Sequence, residues 1–224
     1  MTTLSPSRPL IIALGGLKRS GKDTFAGILA AVARARPNLT PHRIAFADPL
    51  RQATAAAYAL EGSEDPFGDE LKDTVDSSWG ITRRQMLINV GEAMRDVDAD
   101  HWTKLLTRGI GSFETAARRY TPAQKPLHIV TDMRRPNEAK ALLDLGATLV
   151  LVVRDGTVWD GHETEAMAGM ATVRWRSGCH PLHYHLVVEN AFPVGGDASM
   201  IPAATAAFEK AANQLVDAVL TARG

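Results

Sequence analysis

The polarity pattern of this 224-residue chain alternates short apolar runs with longer stretches of helical period. Pro9 to Leu14 (PLIIAL) is continuously apolar and is followed by Gly15-Gly16, the pattern of a buried strand leading into a turn. From Lys22 to Arg36, Phe25, Ile28, Leu29 and Val32 recur at helical spacing until Pro37 stops the helix. Arg43 to Ala47 (RIAFA) reads as a second strand. Asp48-Pro49 then opens an alanine-rich helix to about Leu60, with the aspartate as its cap. Residues 61–80 read as a loop or small lobe. Residues 82–95 and 99–109 carry helical patterns, with Met86, Leu87, Val90 and Met94 on one face. Leu127 to Val130 is a strand ending in Thr131-Asp132, and Pro136 to Leu145 a helix stopped by Gly146. Thr148 to Val153 is the kind of apolar run a parallel sheet buries on both faces. Residues 155–180 lack a clean period and contain Gly156, Gly161, Gly169 and Gly178, which reads as an excursion. Leu186 to Val188 is a last strand and Ala203 to Ala222 a final amphipathic helix. Strands alternating with helices predict an α/β fold with a parallel, doubly wound sheet.

The length suits one domain, 1–224, large enough to bury about 70% of its unfolded surface without disulfide or metal staples. The single Cys179 has no partner for an internal disulfide, which fits a reducing compartment. No stretch reaches the apolar length of a membrane span, and the run behind the polar N-terminus is too brief for a signal peptide. A soluble, cytoplasmic protein is the expectation. Twenty-five Lys and Arg balance twenty-five Asp and Glu, which argues against a nucleic-acid binder. The neutrality is not uniform. Residues 1–51 carry eight basic groups against Asp23 and Asp48, a net of +6. Residues 61–76 are at −6, residues 77–154 at +4 and residues 155–224 at −4.

The +6 segment holds the chemistry. Directly after the first strand stands Gly16-Leu17-Lys18-Arg19-Ser20-Gly21-Lys22-Asp23-Thr24, with the G-x-x-x-x-G-K spacing of a phosphate-binding P-loop. Glycines let successive backbone N–H groups face one phosphate, and the following helix adds its N-terminal partial charge. Lys22 is placed to reach the β- and γ-phosphates. Asp23 stands where a Ser or Thr ordinarily offers a hydroxyl to Mg²⁺, with Thr24 one residue later, so the metal ligand at this turn is open between them. Asp132, at the end of an apolar strand, fits either a second Mg²⁺ ligand or a helix cap. Phosphoryl transfer between two anions needs cations that offset charge and hold both in line, which suits arginine. Arg134 and Arg135 follow one strand and Arg154 another, where open α/β sheets bind ligands. Arg19, Arg51, Arg83, Arg84 and Arg95 complete the candidates. A P-loop module that holds ATP without transferring phosphate is the alternative of another class.

Six segments in order extend the reading. GLKRSGKDT (Gly16 to Thr24), FADPLR (Phe46 to Arg51) and RQMLINVGEAMRDVDADHWTKLL (Arg84 to Leu106) are followed by IVTDMRRPNEAKALLDLGATLVLVVR (Ile129 to Arg154), HETEA (His162 to Ala166) and VVEN (Val187 to Asn190). Together they resemble the bacteriophage deoxynucleoside monophosphate kinases over nearly the whole chain. The resemblance implies a three-layer α/β/α P-loop kinase fold with a parallel central sheet. An acceptor-binding helical region would span about 48–110 and a lid about 155–185. It implies transfer of the γ-phosphoryl of ATP to a (deoxy)nucleoside monophosphate, with Mg²⁺ as cofactor. By the same resemblance Gly16, Lys18, Arg19, Ser20, Gly21, Lys22, Asp23 and Thr24 bind ATP. Lys22, Arg84, Arg95 and Arg134 serve the transfer, Arg51 and Arg154 add acceptor or phosphate contacts, and His162 and Glu165 belong to the lid. Phosphomevalonate kinase-like enzymes share GKD-type P-loops and keep another small acceptor open.

Two departures stand out. Gly91 precedes Glu92-Ala93 rather than the threonine and glutamate common in that family, and residues 167–185 are longer than expected. The longer stretch holds Cys179, His180, His183 and His185, chemically capable of binding Zn²⁺ but without a zinc spacing; a solvated, histidine-rich lid tip is the plainer reading. The expected partners are ATP and a dNMP, with no nucleic acid and no membrane. The oligomeric state is open, a homodimer included. A phage-encoded protein would work in the host cytoplasm.

Overall fold

The computed structural model describes residues 8–60, 65–68, 70–161, 163–192 and 198–222. Two compact units divide the chain. The residues up to Ile44 together with those from Gly109 onward form one, and Ala45–Arg108 forms the other.

The first unit is a three-layer α/β/α structure around a five-stranded, all-parallel sheet. Its strands are β1 (Leu10–Gly15), β2 (Leu39–Ile44), β3 (Lys125–Val130), β4 (Thr148–Arg154) and β5 (Leu186–Asn190), in the order β2-β3-β1-β4-β5. Every residue of β1 is buried, because the sheet is covered on both faces. Leu10, Ile12 and Leu14 join Val150 and Val152 against the helices α1 (Lys22–Arg34) and α7 (Ile201–Thr221). Phe208 of α7 meets the Phe25 ring edge-on at 5.0 Å and the Phe192 ring at 5.3 Å. The other face takes Ile11, Ala13, Leu149 and Leu151; α5 (Pro136–Asp144) and α6 (Ala166–Arg176) pack against β4 without joining the α1/α7 cluster.

The second unit contains α2 (Ala47–Ala57), α3 (Arg83–Val97) and the start of α4 (His101–Tyr120). Phe46, Phe67, Met86, Trp102 and Leu106 are buried. Acidic side chains of the 61–76 stretch tie its described turns: Asp65 accepts from Phe67 N and Asp76 from Ser78 N.

Several elements differ from the sequence reading. The second strand is Leu39–Ile44 rather than Arg43–Ala47. It is an edge strand, where the missing N–H of Pro41 is tolerated, and Phe46 already caps α2. Asp48 is therefore not the cap; from the first turn its carboxylate accepts the Ala45 N–H at 2.7 Å. The helix expected over 99–109 continues to Tyr120, through Gly109 and Gly111. On α3 only Met86 of the four expected core residues is fully buried, and Met94 is 40% exposed. The expected excursion contains a helix, α6, whose buried residues Met167, Ala168, Gly169, Ala171 and Thr172 form no single stripe. Among the described residues no helix is long and apolar enough to cross a membrane.

Candidate active site

The turn 16–24, with the spacing of a P-loop, leaves the carboxyl end of β1, flanked by β3 and β4. Gly16 has no room for a side chain, since a Cβ would collide with the Val152 carbonyl and Ser20 Oγ. Gly21 adopts φ +95° and a Cβ there would strike the Asn190 amide. That amide, from the end of β5, donates to Ser20 O at 2.7 Å and locks the loop to the sheet. Gly21 holds the N-cap position of α1 and has no side chain to cap its first amides. Among the described residues Ser20 Oγ is buried with no hydrogen-bond partner, an unspent polar atom within the cradle.

Lys22 folds over this cradle. Its ammonium donates to Gly16 O at 2.7 Å and Leu17 O at 2.9 Å. Burial, with the nearby Arg134 guanidinium, lowers its pKa to about 8, while Glu165, Asp23 and Asp132 pull the other way. The same five groups define the local charge: one lysine and one arginine among three carboxylates. Glu165 Oε2 also accepts the Lys18 N–H at 3.3 Å, so a carboxylate from beyond β4 reaches the mouth of the P-loop. His162 lies outside the described residues.

Asp23 and Thr24 sit exposed on the first turn of α1, with Asp23 3.4 Å from Arg43. Asp132 is half-buried and is not a helix cap, because Arg135 holds that position at α5. Its carboxylate acts on Lys22. Lys18 and Arg19 are exposed, Arg19 in the left-handed region at φ 62°.

Arg134 and Arg135 lie between β3 and α5. With Asn137, Glu163, Met167, Met170, Leu182 and His183 they line a cavity of about 310 Å³, apolar on its α6 side. Glu138, from the first turn of α5, accepts the backbone N–H groups of both arginines, at 2.8 and 3.0 Å. Arg154 is turned toward main-chain carbonyls, donating to Phe192 O at 3.1 Å and Arg19 O at 3.4 Å. Arg176 in turn donates to Arg154 O and Thr157 O, clamping the chain as it leaves β4. Arg154, Trp175, Arg176, Glu189 and Asn190 border a second cavity of about 200 Å³.

The remaining arginines belong to the second unit. Arg84 makes a two-pronged ion pair with Asp73 at 2.6 and 2.9 Å, Arg95 contacts Glu92 at 2.6 Å, and Arg51 is exposed on α2. Of the zinc candidates, Cys179 is exposed, His183 faces the larger cavity, and His185 Nδ1 accepts the Leu149 N–H. Among the described residues no group of three or more His, Cys, Asp or Glu is gathered to hold a metal. Sequence reasoning passed over Ser20 as an orphan, Asn190 as the lock, and Glu138. Only Asn190 carried a signal, inside the VVEN segment.

No protein-family model matches the chain. Among solved structures, the crystal structure of "a putative kinase" from Chloroflexus aurantiacus aligns with a TM-score of 0.43 and 15% identity, over 98% of this chain and 100% of that one. A protein of Acanthamoeba polyphaga mimivirus, "Putative deoxynucleotide monophosphate kinase", is 31% identical over 156 residues, 67% of this chain and 77% of that protein. With that identity and coverage, the chain belongs to the deoxynucleotide monophosphate kinase family.

Proposed function

We propose that the chain transfers the γ-phosphoryl group of ATP to a deoxynucleoside monophosphate, as an enzyme of the bacteriophage type. One observation carries this reading. The Lys22 ammonium lies in the mouth of the P-loop, the Arg134 guanidinium acts on it, and Arg134 also lines the cavity of about 310 Å³. One cation thus serves the donor phosphates and the next serves the boundary between donor and acceptor. A cavity at the low end of ligand-pocket sizes suits a mononucleotide. The smaller cavity by Trp175 and Asn190 adjoins the P-loop through the Asn190 lock and offers an aromatic wall for the donor base.

A phosphate oxygen of the acceptor is already a nucleophile, so no strong general base is required. The protein's task is to hold the two nucleotides in line and offset their charge. The loop N–H groups and Lys22 take the donor phosphates. Arg134 sits where charge passes from donor to acceptor. Arg51, Arg84, Arg95 and Arg154 are the further phosphate contacts of this reading, with the first three in the Ala45–Arg108 unit. Mg²⁺, if bound, would supply positive charge that offsets the donor phosphates. It ordinarily takes one or two protein carboxylates plus phosphate and water. In this reading Asp132, together with Asp23 or Thr24, would hold it. The segment from 155 to 185, with Glu165 at the loop, is the lid, and the cytoplasm is the working compartment.

ADP release measured over a panel of dNMPs, NMPs and phosphomevalonate tests the proposal. Turnover with at least one dNMP is the expected result. Turnover with phosphomevalonate alone would move the acceptor class, and ATP binding without turnover would leave a binding module. Arg134→Ala should lower kcat by about 100-fold, the scale of one lost transition-state donor, while weakening ATP binding far less.

A further inference from the structure

We propose that Glu138 is the positioning residue of the transfer site, fixing the main chain from which Arg134 projects. The proposal rests on the role given above to Arg134. A carboxylate at the third position of a helix commonly reaches back to the N–H of the capping residue, and one such bond completes a capping box. Glu138 does this for Arg135 at 3.0 Å. It then goes beyond helix capping in three ways.

First, the same oxygen, Oε2, also accepts the Arg134 N–H at 2.8 Å, outside the helix. Two successive amides are pinned to one atom, while Met133 on the other side of Arg134 is buried in the core. The backbone of Arg134 is therefore held from both sides.

Second, Glu138 is only 9% exposed. An ordinary capping glutamate stays in water, where its bond involves little desolvation. Burying a carboxylate is costly unless it is fully hydrogen-bonded. Burial raises the pKa of Glu138, opposed by its two amide bonds, so the group sits where ionisation is disfavoured and is held by those amides. Helix capping alone gives no reason for that placement.

Third, its surroundings are closed. Tyr184 is 2% exposed, and its hydroxyl lies against Gly15, the last residue of β1, so closely that a Cβ on Gly15 would overlap it. Burial, and after it the field of Glu138, raises the pKa of this phenol, whose buried hydroxyl has no hydrogen-bond partner among the described residues. The carboxylate thus sits in a closed region whose phenol packs against the end of the strand that leads into the Gly16 turn. The carboxylate binds the main chain of Arg134 and leaves the guanidinium to act on Lys22. Catalysis by positioned charge is sensitive to displacements of about 1 Å, which is what loss of this anchor would allow.

A double-mutant cycle tests the proposal on the full chain. Glu138→Ala should lower kcat about tenfold or more, with the ATP dissociation constant changed less than about twofold. Glu138→Gln, whose amide oxygen still accepts both N–H groups, should keep kcat within about threefold of the parent. In an Arg134→Ala background, Glu138→Ala should cost less than about twofold, because a residue acting through Arg134 has nothing left to position. Losses that simply multiply would show a general structural role and overturn the proposal, as would parental kcat in Glu138→Ala. Should Glu138→Ala not fold by circular dichroism, Glu138→Asp, too short to reach both amides, replaces it in the same cycle. Parental activity of Arg134→Ala would overturn the site reading and this proposal with it. Multiplicative losses beside a crippled Arg134→Ala would overturn this proposal alone.

Discussion

Lys22 shows how much a single residue carries. Its ammonium is held by two loop carbonyls, and burial with Arg134 brings its pKa down to about 8. Bound triphosphate adds negative charge beside it and raises that pKa again. Between about 8 and the higher bound value, the complex holds a proton that the free protein lacks. ATP affinity should therefore fall as pH rises through about 8, with proton uptake on binding. Calorimetry in two buffers of different ionisation enthalpy measures that uptake, and Lys22→Arg should abolish it. Folding runs in the opposite direction: from about 8 to the ordinary lysine value of 10.5 the unfolded chain binds more protons, so stability of the free protein rises with pH over that window. Lys22→Ala should lose most activity yet melt cooperatively. Glu165 gives a second test of sign. Its carboxylate at the Lys18 N–H competes with a terminal phosphate, so Glu165→Gln should tighten ATP about two- to fivefold, the scale of one partly exposed charge contact. Weaker binding in that variant would instead mark Glu165 as a contributor to the bound state. The glycine turn was legible from its spacing, because the geometry demands glycine where Gly16 and Gly21 stand. Glu138 was not, because three residues after an arginine is an ordinary place for a helix-opening glutamate; only burial and the second amide distinguish it.

At the scale of elements, what was readable followed how completely tertiary contacts agreed with local pattern. β1 and β4 are buried on both faces and read as plain apolar runs. α7 shows one clear apolar stripe, Ala204, Phe208, Ala212, Leu215 and Val219, and was placed within two residues at its start. β2 was misplaced because LTPHRI looks like loop, and only an edge position makes its proline harmless. α6 was missed because small residues let a helix pack on several sides at once, as where Trp159 lies against Gly169, leaving no polar face to show the period. α4 was cut short at glycines that cost only about 1 kcal/mol each in a helix held by other contacts. The α1/α7 layer carries the clearest stability prediction. Phe208 is fully buried and fills the space between Phe25 and Phe192. Phe208→Ala should destabilise the protein by about 3–5 kcal/mol, read as a lower denaturant midpoint, with no direct effect on residues of the P-loop.

For the whole molecule, the charge balance and the two compact units bear on the same question, namely where the acceptor is held. The neutral chain keeps its basic excess in two segments of the sequence; the first supplies Lys18, Arg19 and Lys22, and the second Arg84, Arg95 and Arg134. A few concentrated cations suit a mononucleotide better than a polyanion, whose binding needs a broad basic surface. Arg134 belongs to the sheet unit and Arg84 and Arg95 to the Ala45–Arg108 unit. The second unit has few buried apolar residues and is tied by polar links such as Arg83 to Pro66 O and Trp102 to Gly91 O. Such a region opens locally at lower free energy than a two-sided sheet core. Hydrogen exchange should therefore be fast across 65–108 in the free protein and slow in β1 and β4. ATP alone should slow exchange at the P-loop and the first turn of α1. A dNMP should slow exchange in α3, where Arg84 and Arg95 would exchange their intramolecular carboxylates, Asp73 and Glu92, for the acceptor phosphate. Slowing confined to the turn at Arg134 and to α6 would place the acceptor wholly in the cavity of the sheet unit and remove Arg84 and Arg95 from the site.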